Sequence, residues 1–283
     1  MRPYWDYAGL YWQLILLGQL HADGADPRIA KAVEFVLEHR HWVQTRRWQC
    51  LMANLLGALM RLGYTDHAIV IEETDALAER ILNEDGIDCS EMGSSLLTRC
   101  RMALPKLLLC FVEVPLEQRS ANVQQAIDRI VSDLLEQHVY IYLPGHRAEW
   151  AKIVAARPKR VELPEGERVV DWIAARRRQF LAERGLGEPR PKRGWLTFGF
   201  PLSYNSDILE ALHALAQAGI PGDPQLEPAL AVIREKEDLS GRWILERSLQ
   251  EKMTVSIETL GAPSKWLTLR ALHILKHFGG DDG

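Results

Sequence analysis

Three cysteines and one histidine carry the most specific chemistry in this 283-residue chain. Cys50 and Cys100 each stand at the start of an apolar helical stretch. Cys89 follows Asp85-Gly86 in a loop, and His138 closes the amphipathic stretch after Cys110. Three thiolates and one imidazole are a tetrahedral zinc donor set. Gly86 would let the loop turn back toward the two helix starts. His146 is the second choice for the fourth ligand. The spacings match no zinc ribbon or finger, and separate buried thiols fit the same residues. Cys110, inside an apolar helix, is expected in the core.

A second set lies further along. Asp207 and Glu210 are spaced i, i+3, so they share a helix face. Such a pair can bind or protonate a ligand, or it can complement the helix dipole at an N-terminus. Trp195, Tyr204, Trp243 and Trp266 are aromatic groups that either line a cavity or wedge helix layers apart. Arg270 sits mid-helix among apolar neighbours, where a buried cation needs an anionic partner. Together, Tyr204, Asp207, Glu210, Arg270, Trp195 and Trp266 are the candidate cavity residues.

The elements that must position these groups come in pairs. Residues 206–218 read Ser-Asp-Ile-Leu-Glu-Ala-Leu-His-Ala-Leu-Ala-Gln-Ala, apolar around most of the circumference and so buried on several sides. Asn205 or Ser206 is the expected cap, and Gly219 the left-handed stop. The next helix carries Leu226, Leu230 and Ile233 on one side only. The same contrast recurs at 48–62 and 101–113, each followed by a one-sided helix. It ends in a half unit at 265–277, capped by Ser264. A period of roughly 40–50 residues per helix pair is a repeat signature. It predicts inner helices around a centre and outer helices facing water.

Residues 144–193 break the pattern. They hold 13 basic against 7 acidic residues and many prolines. One helix, from Arg168 to Glu183, is expected there, with Trp172, Ile173 and Phe180 pinning it to the rest and extended loops on either side. This basic insertion suits phosphate, nucleic acid or an acidic partner, or simply a solvated excursion.

Composition narrows the class. The chain is 47% hydrophobic and 25% charged, with a net charge of −4, which is not the charge balance of a nucleic-acid binder, and no nucleic-acid partner is expected for the molecule as a whole. No stretch reaches the roughly 20 apolar residues of a membrane helix. Asp6 interrupts the apolar start, so no signal peptide is expected there. Four cysteines do not make a disulfide scaffold, and a cytoplasmic protein is the expectation.

Three stretches resemble the α/α-toroid superfamily of terpenoid cyclases and protein prenyltransferases. Lys236-Glu237-Asp238-Leu239-Ser240-Gly241-Arg242-Trp243 is similar to the repeat that ends in Gly-x-Trp in triterpene cyclases. Phe198 to Asp207 and Pro263 to Leu272 resemble uncharacterised bacterial proteins of the same fold. The resemblance implies an all-α toroid of inner and outer helices in one domain, 1–283. It also implies a central cavity for a small apolar or isoprenoid-like ligand. Related bacterial proteins carry cysteines at similar places, and protein prenyltransferases hold zinc with an Asp, Cys and His set. The Asp-rich motifs D-x-D-D and D-D-x-x-D are absent here, and Asp85-Gly86-Ile87-Asp88 is the nearest acidic pair. No catalytic residue is therefore carried over. The chain is either an enzyme without those motifs or a non-enzymatic binding protein that has kept the scaffold.

Overall fold

The computed structural model describes residues 6–39, 49–83, 100–142, 146–185, 187 and 189–279. Eleven α-helices lie among them: α1 (Leu10–Gln19), α2 (Pro27–His39), α3 (Gln49–Leu59), α4 (Ala68–Asn83), α5 (Ala103–Val112), α6 (Ala121–Glu136), α7 (Arg147–Ala155), α8 (Val169–Arg184), α9 (Ile208–Gln217), α10 (Glu227–Glu235) and α11 (Lys265–Phe278). The strands among the described residues are four two-residue pieces in two antiparallel pairs. The chain is predominantly α-helical, and none of the described helices is long and apolar enough to cross a membrane.

Packing follows the contrast in apolar coverage. α1 packs on α3, α3 on α5, α5 on α9, and α9 on α11. Against this row lie α2 on α1, α4 on α3, α6 on α5 and α10 on α9. Every residue of α3 is buried, as are eight of ten in α5 and eight of ten in α9. The covering helices bury one stripe each, such as Val123, Ala126, Ile127, Ile130 and Leu134 in α6. A helix apolar all round needs neighbours on several sides, and a one-sided helix needs only one.

Small residues set the closest approach. A Cβ on Gly18 of α1 would stand 2.7 Å from the Cα of Ala58 in α3, so the two backbones pack where side chains would separate them.

Two expectations for the helix row need correction. The cap of α9 is Asp207, whose side chain accepts from the Glu210 N–H, rather than Asn205 or Ser206. Ser206 instead donates to the Met102 carbonyl at 2.9 Å and ties the entry of α9 to that of α5. Helix α11 is less buried than expected for the inner class. Only Leu267, Ala271 and Ile274 are buried, while Leu269 and Leu272 are 62% and 52% exposed. Among the described helices its main partner is α9, so i, i+4, i+7 is the face it buries.

The Trp that closes the stretch Lys236 to Trp243 is fully buried. Trp243 donates its indole N–H to the Ile233 carbonyl at 2.8 Å, at the end of α10. It begins β3 (Trp243–Ile244), which pairs with β4 (Pro263–Ser264) directly before α11. Gly241, at φ 75°, makes the turn that reaches it.

The basic insertion is tied off at its base. β1 (Ile141–Tyr142) pairs antiparallel with β2 (Arg190–Pro191). Beyond that ladder, Trp150, Ile173 and Phe180 form a small hydrophobic cluster separate from the main core. The Trp150 and Phe180 rings lie 5.6 Å apart. Ile173 and Phe180, with Trp172 packed beside them, therefore pack against α7 instead of pinning α8 to the rest. Residues 147–155, expected as loop, form the helix that supplies this partner.

Candidate functional site

One cavity of about 360 Å³ takes its wall from all five helices of the row. Each of those helices carries polar residues in an otherwise apolar body, and these converge. α1 supplies Gln19, α3 Asn54, α5 Lys106, α9 Glu210 and His213, and α11 Arg270 and His273. Arg61, just past α3, and Glu113, just past α5, stand beside them. Leu109, Trp266 and Leu269 add apolar surface.

The charges sort into two closed pairs and one open group. Lys106 donates to both oxygens of Glu210, at 2.8 and 2.9 Å, with both side chains almost wholly buried. A carboxylate and an ammonium taken out of water hold their charges only because each supplies the other's partner. Arg61 Nε donates to Glu113 at 2.6 Å. Arg270 meets no carboxylate in hydrogen-bonding range among the described residues. Its guanidinium lies 5.1 Å from the Phe200 ring centre, and burial holds its pKa below the ordinary arginine value. Phe200 in turn stacks on Trp266 at 5.5 Å.

Beside Arg270 stand two imidazoles. The His213 and His273 rings are 5.2 Å apart and edge to face. Their Nδ1 atoms are buried without a hydrogen-bond partner. Burial pushes the His213 pKa down to about 3, and the positive charge of Arg270 is the largest further cause, with His273, Arg61 and His21 behind it. His273 is lowered too, by burial and then by His277. Both imidazoles are thus neutral at pH 7.

A pH dependence follows. A histidine whose folded pKa lies below its unfolded value contributes stability that is complete above pH 6.5 and is lost as pH falls toward 3. Asp207 acts in the other sense. Burial, with Glu210 second, raises its carboxyl to about 6, so its contribution is lost as pH rises from about 4 to 6. Comparing His213→Asn with the parent protein isolates the first effect. The parent should lose stability more steeply than the variant between pH 6.5 and 4, measured by urea unfolding at each pH. Parallel curves would show that His213 titrates normally.

Of the six candidate cavity residues, Glu210, Trp266 and Arg270 are on this wall. Asp207 lies behind it, fully buried, accepting from the backbone N–H groups of Gly199 at 2.9 Å and Glu210 at 2.8 Å. Tyr204 stacks on Tyr7 at 6.0 Å. Trp195 is buried elsewhere, beneath Arg101 at 5.6 Å and Lys192 at 5.9 Å. The residues that sequence reasoning missed are Lys106, Arg61, Glu113, Asn54, His213 and His273. Their signal was a polar residue inside an apolar helix, the same argument that selected Arg270.

The zinc set is only partly within view. Cys89 lies outside the described residues. Cys50, Cys100 and Cys110 are buried. Cys50 acts on the Tyr7 hydroxyl, and Cys100 acts on the Lys192 ammonium. Burial pushes the Cys110 thiol up to about 12. His138 turns Nδ1 toward the Gln225 carbonyl at 3.2 Å, and His146 turns Nε2 toward that of Arg184 at 3.2 Å. Among the described residues no three His, Cys, Asp or Glu side chains are grouped to hold a metal ion.

No family model, curated protein or solved structure matches this chain. The geometry of the cavity therefore carries the functional reading.

Proposed function

We propose that α1, α3, α5, α9 and α11 form the inner ring of an α/α toroid, like that of terpenoid cyclases and protein prenyltransferases, and that its centre binds a small ligand. One observation supports this above all: a single cavity draws wall residues from all five helices of the row. Its volume of about 360 Å³ lies at the small end of the range for ligand pockets. A wall that mixes Trp266, Leu109 and Leu269 with charged groups suits an amphiphilic molecule better than a purely apolar one.

Binding is favoured over proton-transfer catalysis by the state of the carboxylates. Glu210 and Glu113 are each held by a cation. The carboxyl whose pKa is raised, Asp207, is a helix cap behind the wall. A general acid or base must reach the proton it moves, and neither arrangement gives that reach.

Leu109→Trp tests the site. Leu109 is only partly buried and faces the cavity, so the larger side chain fills the space without entering the main core. Small molecules released on denaturing the purified protein are identified by mass spectrometry. A compound retained by the parent and absent from Leu109→Trp is expected. Equal retention by both proteins, or none by either, would remove the central-cavity reading.

A further inference from the structure

Within the cavity, one corner differs from the rest. Lys106 and Arg61 each have a carboxylate, while Arg270 has none among the described residues. His213 and His273 flank it with two buried Nδ1 atoms that lack partners. A buried polar nitrogen without a partner is unfavourable, and the half-buried Arg270 turns to the same cavity. Such groups persist in a fold when something else satisfies them.

We infer that this corner is an anion seat: Arg270, with His213 and His273, takes the oxyanion head of a small amphiphilic ligand, a carboxylate or a phosphate monoester. The inference rests on the central-cavity reading above and adds the chemical class of the ligand. The guanidinium offers forked donors suited to a planar or tetrahedral oxyanion. A neutral imidazole can carry its proton on Nδ1 and donate it, so neither histidine needs to be charged. The wall itself holds three cations, Arg61, Lys106 and Arg270, against two carboxylates, Glu113 and Glu210. Glu210 and Asp207, the latter behind the wall, act on Arg270 through their charge without bonding it, so its donors stay open to an oxyanion. The apolar body of the ligand would lie along Trp266, Leu109 and Leu269.

The two closed pairs also argue against a cationic ligand. Glu210 already receives Lys106 at both oxygens, and Glu113 receives Arg61. An incoming amine would have to displace a buried ammonium or meet the open guanidinium, which repels it.

Four six-carbon probes test this on the full chain: hexanoate, hexyl phosphate, hexylamine and hexanol. Thermal unfolding midpoints are measured at one probe concentration and moderate salt. The expected result is an upward shift with hexanoate or hexyl phosphate, at least tenfold weaker binding of hexanol, and no shift with hexylamine. Whichever anion binds tighter separates a carboxylate seat from a phosphate seat. Arg270→Met should abolish the anion shift, and Arg270→Lys should keep part of it. Without ligand, Arg270→Met should unfold no more than slightly lower than the parent, because no carboxylate among the described residues bonds the guanidinium it removes and only the more distant charges of Glu210 and Asp207 favour it. A shift from hexanol or hexylamine equal to that from the anions would overturn the anion seat. So would an anion shift that survives in Arg270→Met, or no shift from either anion. If those probes that do bind are blocked by Leu109→Trp, the cavity reading stands while the anion seat falls. If the anions bind Leu109→Trp as well as the parent, both fall.

Discussion

Replacing Lys106 with methionine should destabilise the protein by about 3–5 kcal/mol, the usual consequence of leaving one member of a buried ion pair without its partner. Lys106 and Glu210 are 1% and 3% exposed, and both carboxylate oxygens accept from the same ammonium. In Lys106→Met, Glu210 keeps its charge in a place water reaches poorly, or takes up a proton. The double variant Lys106→Met/Glu210→Leu should recover most of the loss, since apolar residues of similar volume commonly replace a buried pair at little net cost. Urea unfolding of the two singles and the double closes the cycle. A loss below about 1 kcal/mol in Lys106→Met would mean that water or a shifted side chain screens Glu210.

The second large effect is expected at Trp243. Trp243→Ala should lose about 3–5 kcal/mol through the void it leaves. Trp243 is fully buried, and its indole N–H bonds the end of α10 while its backbone pairs with the residue that caps α11. It thus fastens a covering helix, α10, to the start of α11 in the row. Trp243→Phe should lose less, since most of the volume remains. Both are read by chemical denaturation. The alanine variant should also weaken binding at the cavity although Trp243 is not on its wall, because α11 brings Arg270 and Trp266. An alanine variant with near-parental stability would show that the Gly-x-Trp close is ornamental to this fold.

The helix rows were legible because apolar coverage distinguishes a helix with many neighbours from a helix with one. α3, α5 and α9 read that way from composition alone, and α4, α6 and α10 read as their covers. α11 misled because Leu269 and Leu272 look like core residues in sequence. Burial depends on having neighbours, and among the described helices α9 is its main one. The insertion misled for a related reason. The stripe Trp172, Ile173, Phe180 announces an apolar face, but a face does not name its partner, and Trp150 was closer than the main core.

The site was legible in part. Arg270 stood out as a charge among apolar residues, and the same logic applies to Lys106, Asn54 and His213. Pairing was the part that the sequence withheld. Lys106 and Glu210 are 104 residues apart and meet only because α5 packs on α9. Asp207 and Glu210, three apart on one helix, diverge. Asp207 turns back to cap the helix, and Glu210 faces the cavity.

The central claim is that one ligand sits among these five helices, and 5-fluorotryptophan NMR tests it most directly. The chain has nine tryptophans, and among the described residues Trp266 is the one on the cavity wall. Its resonance is assigned with Trp266→Phe, and those of Trp150, Trp172, Trp195 and Trp243 by the same substitution. The tightest-binding of the four six-carbon probes is then titrated in. The account predicts a saturable shift of the Trp266 resonance at one probe per chain, with Trp150 and Trp172 of the basic insertion unmoved. A probe that shifts Trp150, Trp172 or Trp195 and leaves Trp266 in place would put the ligand elsewhere and contradict it.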